Sequence, residues 1–558
     1  MNGETNFSAL DRQLGAFLQR LSGAPAPEVR LAAMCASRAR AEGNICVTLS
    51  AIAAAEGAPS VASLRKKLRG SGMIGAPGEF APLILDSQDR LYLRRYWEYE
   101  QKLAQAILSR TINAAPATGS KTNLQEIAAE KAVSSGFTVI TGGPGTGKTW
   151  TVRKILTLLR AQPGGDALRI SLAAPTGKAT ARLTEAIRTV EEKVAATTIH
   201  RLLGYLPGSP YFRHNAEHPL SADVVIVDEA SMVDLALMAK LVAAVRPEAR
   251  LILLGDRDQL ASVEAGNVLA DICAAAESAS PNDSLHGAVV ELRRNYRFAE
   301  TGGIFRISTA INSGEVEPAM AALQENSGGE VSWKPLPENV RLISALRDQV
   351  VAGFRPCLET EDPLQALASL QQFRILCAVR HGTFGVANLN AVAKEILADA
   401  GLLTPRRGWY RGQPIMITQN DYNLALFNGD SGIVLPDTAA DGELRAFFLS
   451  AEGKLRRFLP SRLPIHETAF AITVHKSQGS EFWKVLLILP KNDSPILTRE
   501  LLYTGLTRAR HGVEIWASER VLRASIARRV ARASGLRDAL SGLESTRDRS
   551  SRKKTRQK

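Results

Sequence analysis

A chain of 558 residues, 45% apolar and 22% charged, reads as a soluble globular protein of roughly three or four domains and excludes a fibrous or wholly disordered one. No apolar run reaches the ~18 residues of a membrane helix, the N-terminus lacks the basic-then-apolar layout of a signal peptide, and none of the five cysteines forms a C-x-x-C pair. No membrane partner is expected, a cytoplasmic chain with free, mostly buried thiols is, and the net charge of +13 favours a polyanion such as nucleic acid over a merely basic surface.

Residues 1 to about 112 read as a small, mostly helical region. Helical periodicity runs over 10–21 and 30–40, a short hairpin over 83–85 and 90–93, and the aromatic, charged stretch Tyr96-Trp97-Glu98-Tyr99-Glu100 follows. Residues 114–120 read as a linker. From about 121, strand-like and helix-like segments alternate, which predicts an α/β fold with a parallel sheet covered on both faces.

The apolar run 137–141 leads into Gly142-Gly143-Pro144-Gly145-Thr146-Gly147-Lys148-Thr149 and then a helical stretch, 152–159. The glycines let backbone N–H groups fold around a polyphosphate. Lys148 can reach the β and γ phosphates, Thr149 can hold Mg²⁺, and the helix start aims its positive dipole end at the same anion. A nucleoside triphosphate, ATP with Mg²⁺, is the expected cofactor.

The strand 224–227 ends in Asp228-Glu229, two carboxylates at the sheet edge where α/β ligands bind. Asp228 suits the Mg²⁺ and Glu229 the activation of water. The strand 251–254 ends at the same edge in Gly255-Asp256-Arg257-Asp258-Gln259-Leu260, where the Gln259 amide can sense the γ-phosphate or its water. Arg297, in 294–298, and Arg508, in 503–510, are ordinary surface arginines taken alone. If a second α/β unit faces the first, both meet ATP in the cleft and stabilise phosphoryl transfer.

Three polar loops suit a phosphate track that grips a single strand without reading bases, or are plain solvated loops. They carry Pro175, Thr176 and Lys178; His200 and Arg201; and Val474, His475, Lys476 and Gln478. His200 by itself reads more readily as structural.

The second alternating region starts near 373–377. Between about 405 and 465, turn signals at Asn428-Gly429-Asp430 and Ala440-Asp441-Gly442 separate short β-like runs, predicting a small β insertion. Residues 541–558 hold seven Lys/Arg against two Asp/Glu and read as a disordered basic tail. No clustered acidic nuclease arrangement and no Gly-x-Ser-x-Gly nucleophile motif is present.

Taken in order, GGPGTGKT (142–149), LAAPTGKATARL (172–183), TIHRLLG (198–204), VDEASMVD (227–234), LGDRDQLASVEAGNVL (254–269), NYRF (295–298), TVHKSQGSEF (473–482) and YTGLTRAR (503–510) resemble a superfamily 1 helicase. LCAVRHGTFGVANLN (376–390), PIMITQNDYNLALFNGDSGIV (414–434), SRLPIHET (461–468) and DRLYLRRYW (89–97) narrow the resemblance to the RecD family, the alpha subunits of exodeoxyribonuclease V (RecBCD). It spans nearly the whole chain except the tail.

The resemblance implies an ATP-driven 5′-to-3′ motor on single-stranded DNA that unwinds duplex DNA ends. Its fold is two RecA-like P-loop domains with an SH3-like β insertion in the second. That divides the chain into an N-terminal domain (1–112) docking on a RecC-like partner, motor domain 1 (113–335), motor domain 2 (336–540, insertion about 405–465) and the tail. The nuclease centre then belongs to a RecB-like subunit. By the same resemblance Gln125 contacts adenine, Glu481 lies near the ribose, and Gln259, Arg297 and Arg508 surround the γ-phosphate. A stand-alone helicase of this type, or an ATP-binding architectural subunit without motor activity, are the competing readings. Trp150 stands where the family commonly has a small residue, so altered packing behind the loop is expected, and the stretch between Cys273 and Leu292 is short for the family.

Overall fold

The computed structural model describes residues 7–23, 25–54, 59–111, 123–191, 194–280, 283, 285–298, 302–325, 329–404, 408–421, 423–450 and 453–542. The expected linker at 114–120 and the tail beyond 542 lie outside them. Among the described residues no helix is long and apolar enough to cross a membrane, and all five cysteines are buried and free of disulfides.

The first α/β unit is a six-stranded parallel sheet. Its order is Val289–Leu292, Phe137–Gly142, Arg250–Gly255, Val224–Val227, Ile170–Ala174 and Thr197–Thr198. Val224–Val227 is buried throughout because helices cover both faces, so it reads as an unbroken apolar run instead of alternating. Helices Leu124–Ser134, Lys148–Arg160 and Gly177–Ile187 pack on one face. Leu235–Ala244 and Val268–Ser278 pack on the other, joined by Arg94–Thr111 from the N-terminal region.

The second unit is a five-stranded parallel sheet, ordered Val331–Lys334, Ala509–Trp516, Phe482–Ile488, Phe373–Cys377 and Ala471–Thr473. The expected division at 335 moves. Val331–Lys334 pairs with Ala509–Trp516, and helices Gly303–Ser313 and Val316–Glu325 bury Ile304, Ile311 and Leu323 in the second unit's core. The units therefore divide between Leu292, which ends the first sheet, and Phe298, which is buried in the second unit's core, since buried apolar area, not linear spacing, decides membership.

The β insertion is a five-stranded antiparallel sheet, ordered Leu455–Phe458, Leu444–Leu449, Ser431–Pro436, Pro414–Ile417 and His466–Thr468, closed over Ile415, Ile417, Val434 and Phe448. Gly429 (φ +95°) and the pair Asp441 and Gly442 (φ +49° and +78°) take left-handed backbone at the two turns read from the sequence.

The N-terminal region is mostly helical, as expected. Its helices surround a four-stranded sheet, in which the predicted hairpin (Leu83–Leu85 with Arg90–Leu93) gains Cys46–Thr48 and Ile74–Gly75 as outer strands. Runs of two and three residues are too short for a periodicity to register. The C-terminal segment 529–542 leaves the second unit and returns to the first. Ile45 N–H donates to the Ala533 carbonyl (2.8 Å), and Leu536 and Leu540 are buried with Leu103 and Ile107.

Candidate nucleotide site and interdomain cleft

The phosphate-binding loop folds as its residues dictate. Gly145 and Gly147 take φ of +84° and +85°, and Gly147 caps helix Lys148–Arg160. The loop is clasped from three directions. Gln125, buried on helix Leu124–Ser134, donates to the Thr146 carbonyl (2.9 Å). Asn295 donates to the Pro144 carbonyl (2.8 Å), and Tyr296 N–H to the Gly145 carbonyl (2.8 Å). These contacts leave no room for side chains: a Cβ on Gly147 would lie 2.0 Å from Gln125 Nε2, and one on Gly145 2.5 Å from Arg297 Cβ. Gln125 thus meets the loop backbone directly. Lys148 Nζ rests on the carbonyls of Gly142 (2.6 Å) and Gly143 (3.0 Å). Trp150 is 42% exposed, whereas Val152 is buried and Thr151 donates to the Gly147 carbonyl behind the loop (3.1 Å).

Asp228 and Glu229 stand at the end of Val224–Val227, beside Lys148. Burial, then the Glu229 carboxylate next to it, push the Asp228 carboxyl above the usual range, and Lys148 and Arg182 pull the other way. Glu229 takes φ +52°, a strained backbone for this residue of the kind found where geometry serves function. No described cluster of three or more His, Cys, Asp or Glu could hold a metal alone. Thr149, in the first turn of helix Lys148–Arg160, and Asp228 offer the hard oxygen donors that a Mg²⁺ takes.

The loop after Arg250–Gly255 is the junction of the two units. Asp256 accepts from Gln259 Nε2 (3.0 Å) and from the Tyr503 hydroxyl (3.1 Å) of the second unit. Thr504 Oγ1 accepts from Leu260 N–H (2.9 Å), and Gln478 donates to the Leu260 carbonyl (2.8 Å). Gln259 Oε1 is buried without a hydrogen-bond partner among the described residues.

Burial, against the pull of Lys148, raises Asp256 to about 6 from 3.8. A carboxyl raised in the fold holds its proton where the unfolded chain has lost it, so its contribution favours folding below about pH 4 and is lost as pH rises to about 6. Asp256→Asn is accordingly expected to gain stability relative to the wild type as pH rises from 4 to 7. The gain reaches up to about 3 kcal/mol, read by denaturant unfolding at each pH.

Arg297 and Arg508 both reach this pocket. Arg508 is buried, donating from Nε to the Thr504 carbonyl (3.2 Å) and from Nη1 to the Ser480 carbonyl (3.2 Å). Burial disfavours its charge, and Glu229 and Glu481 support it. Glu481 is ringed by Arg297 (2.6 Å), Arg182 (2.5 Å) and Arg510 (2.8 Å). Burial works against its charge, yet Arg182 and Arg297 outweigh it and hold the carboxyl at about 2. The residue expected beside the ribose is therefore the anchor of an arginine ring spanning both units.

The expected strand-contacting residues divide. Lys178 donates to Ser480 (3.2 Å) and to Ser431 of the β insertion (2.8 Å), and burial lowers it to about 8. Lys178, Arg182, Arg201, Arg456 and Arg510 line a cleft of about 770 Å³ where both units meet the insertion. Pro175 and Thr176 are half-buried beside it, with Thr176 capping helix Gly177–Ile187. Lys476 pairs with Glu467 (2.7 Å), and His475 is half-buried. Gln478 lies in the interface with Leu260. Val474 is fully buried in the second unit's core, so its side chain meets no strand. His200 packs its ring edge on Phe212 (5.7 Å), the structural role that a lone histidine suggests.

Asp256, Arg182, Asn295 and Tyr503 escaped the sequence reading, though each lies inside a string that carried the resemblance. Their neighbours in sequence bear the obvious chemistry, and only packing gives these four a partner.

Three family models match parts of the chain: "AAA domain" over 125–265, "UvrD-like helicase C-terminal domain" over 468–515, and "RecBCD enzyme subunit RecD, N-terminal domain" over 4–92. The chain is 40% identical to the RecBCD enzyme subunit RecD of Mycolicibacterium smegmatis, covering 93% of this chain and 95% of the relative. It is 34% identical to that of Haemophilus influenzae, covering 81% and 80%. A crystal structure of the Candida albicans Pif1 helicase aligns at 17% identity and a TM-score of 0.43, over 77% of this chain and all of that one.

Proposed function

The chain belongs to the RecD family of RecBCD enzyme subunits, and on that premise we propose that it is the ATP-dependent DNA helicase subunit of an exodeoxyribonuclease V complex that processes double-strand ends. One observation carries the motor reading: the pocket of Lys148, Asp228 and Glu229 on the first sheet is faced by Arg508 and Glu481 from the second. A triphosphate there is gripped by both units, so its cleavage changes how they hold each other.

Lys148 and the loop amides bind the β and γ phosphates. Thr149 and Asp228 hold Mg²⁺, which neutralises phosphate charge when bound. Glu229 takes the proton of the attacking water and Gln259 orients that water. Arg297 and Arg508 meet the charge that spreads over the γ-phosphate oxygens, with Glu481 holding Arg297 in place. Gln125 sits at the loop edge, where an adenine would meet its amide.

The cleft with Lys178 and Arg201, together with Thr176, Pro175, His475 and Lys476, is the proposed single-strand track. Partners are RecB-like and RecC-like chains, with the nuclease centre in the former. The N-terminal domain offers a docking face: Leu10, Phe17 and Leu21 are half or more exposed along one flank of helix Ala9–Leu21, whose opposite flank is buried. A cytoplasmic site of action accords with DNA ends as substrate. The subunit reading is favoured over a stand-alone helicase by the RecD N-terminal match over 4–92.

A strand-displacement assay tests direction. With ATP, duplexes bearing 5′ single-stranded overhangs are expected to be unwound and 3′-overhang duplexes left intact by the subunit. Unwinding of the 3′ set alone overturns the 5′-to-3′ reading.

A further inference from the structure

Arg532 takes no part in the pocket, yet both terminal nitrogens of its guanidinium donate to one loop of the first unit. Nη1 donates to the carbonyls of Glu264 (2.7 Å) and Gly266 (2.7 Å), and Nη2 to that of Ser262 (2.6 Å). This loop, residues 260–266, follows Gln259 directly. Its near end, at Leu260, is the point that Thr504 and Gln478 of the second unit grip.

Its far end is held from the N-terminal domain as well. Gly266 N–H donates to the Gly43 carbonyl (3.0 Å), and Arg40 pairs with Glu264 (2.8 Å). Gly43 lies so close that a Cβ there would come within 3.0 Å of the Arg532 guanidinium carbon. Four parts of the molecule thus meet at this guanidinium: the C-terminal segment, the N-terminal domain, the loop behind Gln259, and the loop of His475, whose charged form Arg532 disfavours after burial does.

The segment carrying Arg532 has its own anchors on each side. Arg528 is tied into the second unit through Asp493 (2.6 Å). Beyond Arg532, Ala533 N–H donates to Asn44 (2.9 Å), Ser534 to Glu100 (2.7 Å), and Leu536 is fully buried. Arg532 can therefore be removed without releasing the segment. A part-buried guanidinium facing three neutral carbonyls is a poor way to gain stability, since desolvation opposes its charge and Asp271 supports it only from a distance. It is a good way to fix the path of a loop, because three donors in a rigid fork define position and orientation together.

We propose that Arg532 is a positioning residue that holds the 260–266 loop so that cleft closure places Gln259 against the nucleotide, tying the DNA-stimulated rate to the seating of the C-terminal segment. The proposal rests on the motor reading above. Through the Gly43 and Arg40 contacts it also puts the N-terminal domain one hydrogen bond from that loop.

The test compares Arg532→Ala and Arg532→Lys with the wild type in the full chain, measuring ATP hydrolysis with and without single-stranded DNA and amide exchange at Leu260 and Gly266. Arg532→Ala is expected to lower the DNA-stimulated kcat about ten-fold. KM for ATP stays within about two-fold and the DNA-independent rate is unchanged, because these do not need the loop in register. Exchange at Leu260 and Gly266 rises while that of helix Lys148–Arg160 does not. Arg532→Lys restores part of the rate, since an ammonium reaches these carbonyls but cannot span all three; it also serves if the alanine chain fails to fold.

Undiminished DNA stimulation in Arg532→Ala, unchanged exchange at Leu260, or a parallel fall of KM, kcat and thermal midpoint that lysine leaves uncorrected overturns the proposal. A wild-type chain whose hydrolysis ignores DNA fails the motor reading instead, which separates the two.

Discussion

Replacing Lys148 by glutamine is expected to abolish DNA-stimulated ATP hydrolysis and unwinding by the subunit while leaving the fold intact. Lys148 opens helix Lys148–Arg160, and its amine lies on the carbonyls of Gly142 and Gly143. A glutamine amide can donate to the same carbonyls, and its helix propensity is close to that of lysine, so the loop and helix persist. The unit positive charge is what disappears. It faces a triphosphate on one side and, on the other, Asp228 and Asp256, both of which it draws toward ionisation. Without it both carboxyls hold their protons more tightly, so phosphate binding and the cation site fail together. The measurement is hydrolysis with and without single-stranded DNA, with thermal melting as the control. Full activity in a well-folded Lys148→Gln chain would sink the motor assignment.

The second large effect is expected from Arg508→Ala: a fall in kcat of about a thousand-fold with KM for ATP little changed. An arginine supplied to a phosphoryl-transfer site is worth about 10³–10⁵ in rate. It acts where charge develops, so binding of the ground state suffers least. Arg508 is the residue for such a role, since it is buried, comes from the second sheet, and feels Glu229 and Glu481 of the pocket. Lysine should not replace it. The two bonds to Thr504 and Ser480 fix a planar fork, and an ammonium cannot make both and still present a donor to the nucleotide. Loss of a buried side chain also costs stability, so steady-state kinetics need a melting curve beside them. A thousand-fold loss in both variants, with each chain still folded at the assay temperature, is the expected pattern. Hydrolysis near the wild-type rate in Arg508→Lys would show that simple charge suffices and remove the planar fork from the argument.

Much of this site was legible in sequence, for a local reason. A phosphate loop is built from consecutive backbone amides, so its glycines, Lys148 and Thr149 must be neighbours in the chain. Asp228 and Glu229 announce themselves by ending an all-apolar strand. Arg297 and Arg508 were readable as residue types but not as partners, because nothing in their own neighbourhoods distinguishes them from surface arginines. The β insertion was visible through its turns, whereas the two short outer strands of the N-terminal sheet were not, since each is formed by its partner and not by its own pattern.

The chain by itself determined the nucleotide chemistry, the alternation that builds two parallel sheets, and the helicase strings that place it in its family. Each of these lives within a few consecutive residues, where covalent connection enforces the geometry. Tertiary structure alone decided that Glu481 gathers three arginines, that Val474 is core and His200 packs on Phe212, that the units divide before Phe298, and that the last described segment comes back to hold the loop behind Gln259. Those outcomes depend on which surfaces lose water together, and contacts such as Arg532 with Ser262, 270 residues apart, leave no trace in the spacing of either partner.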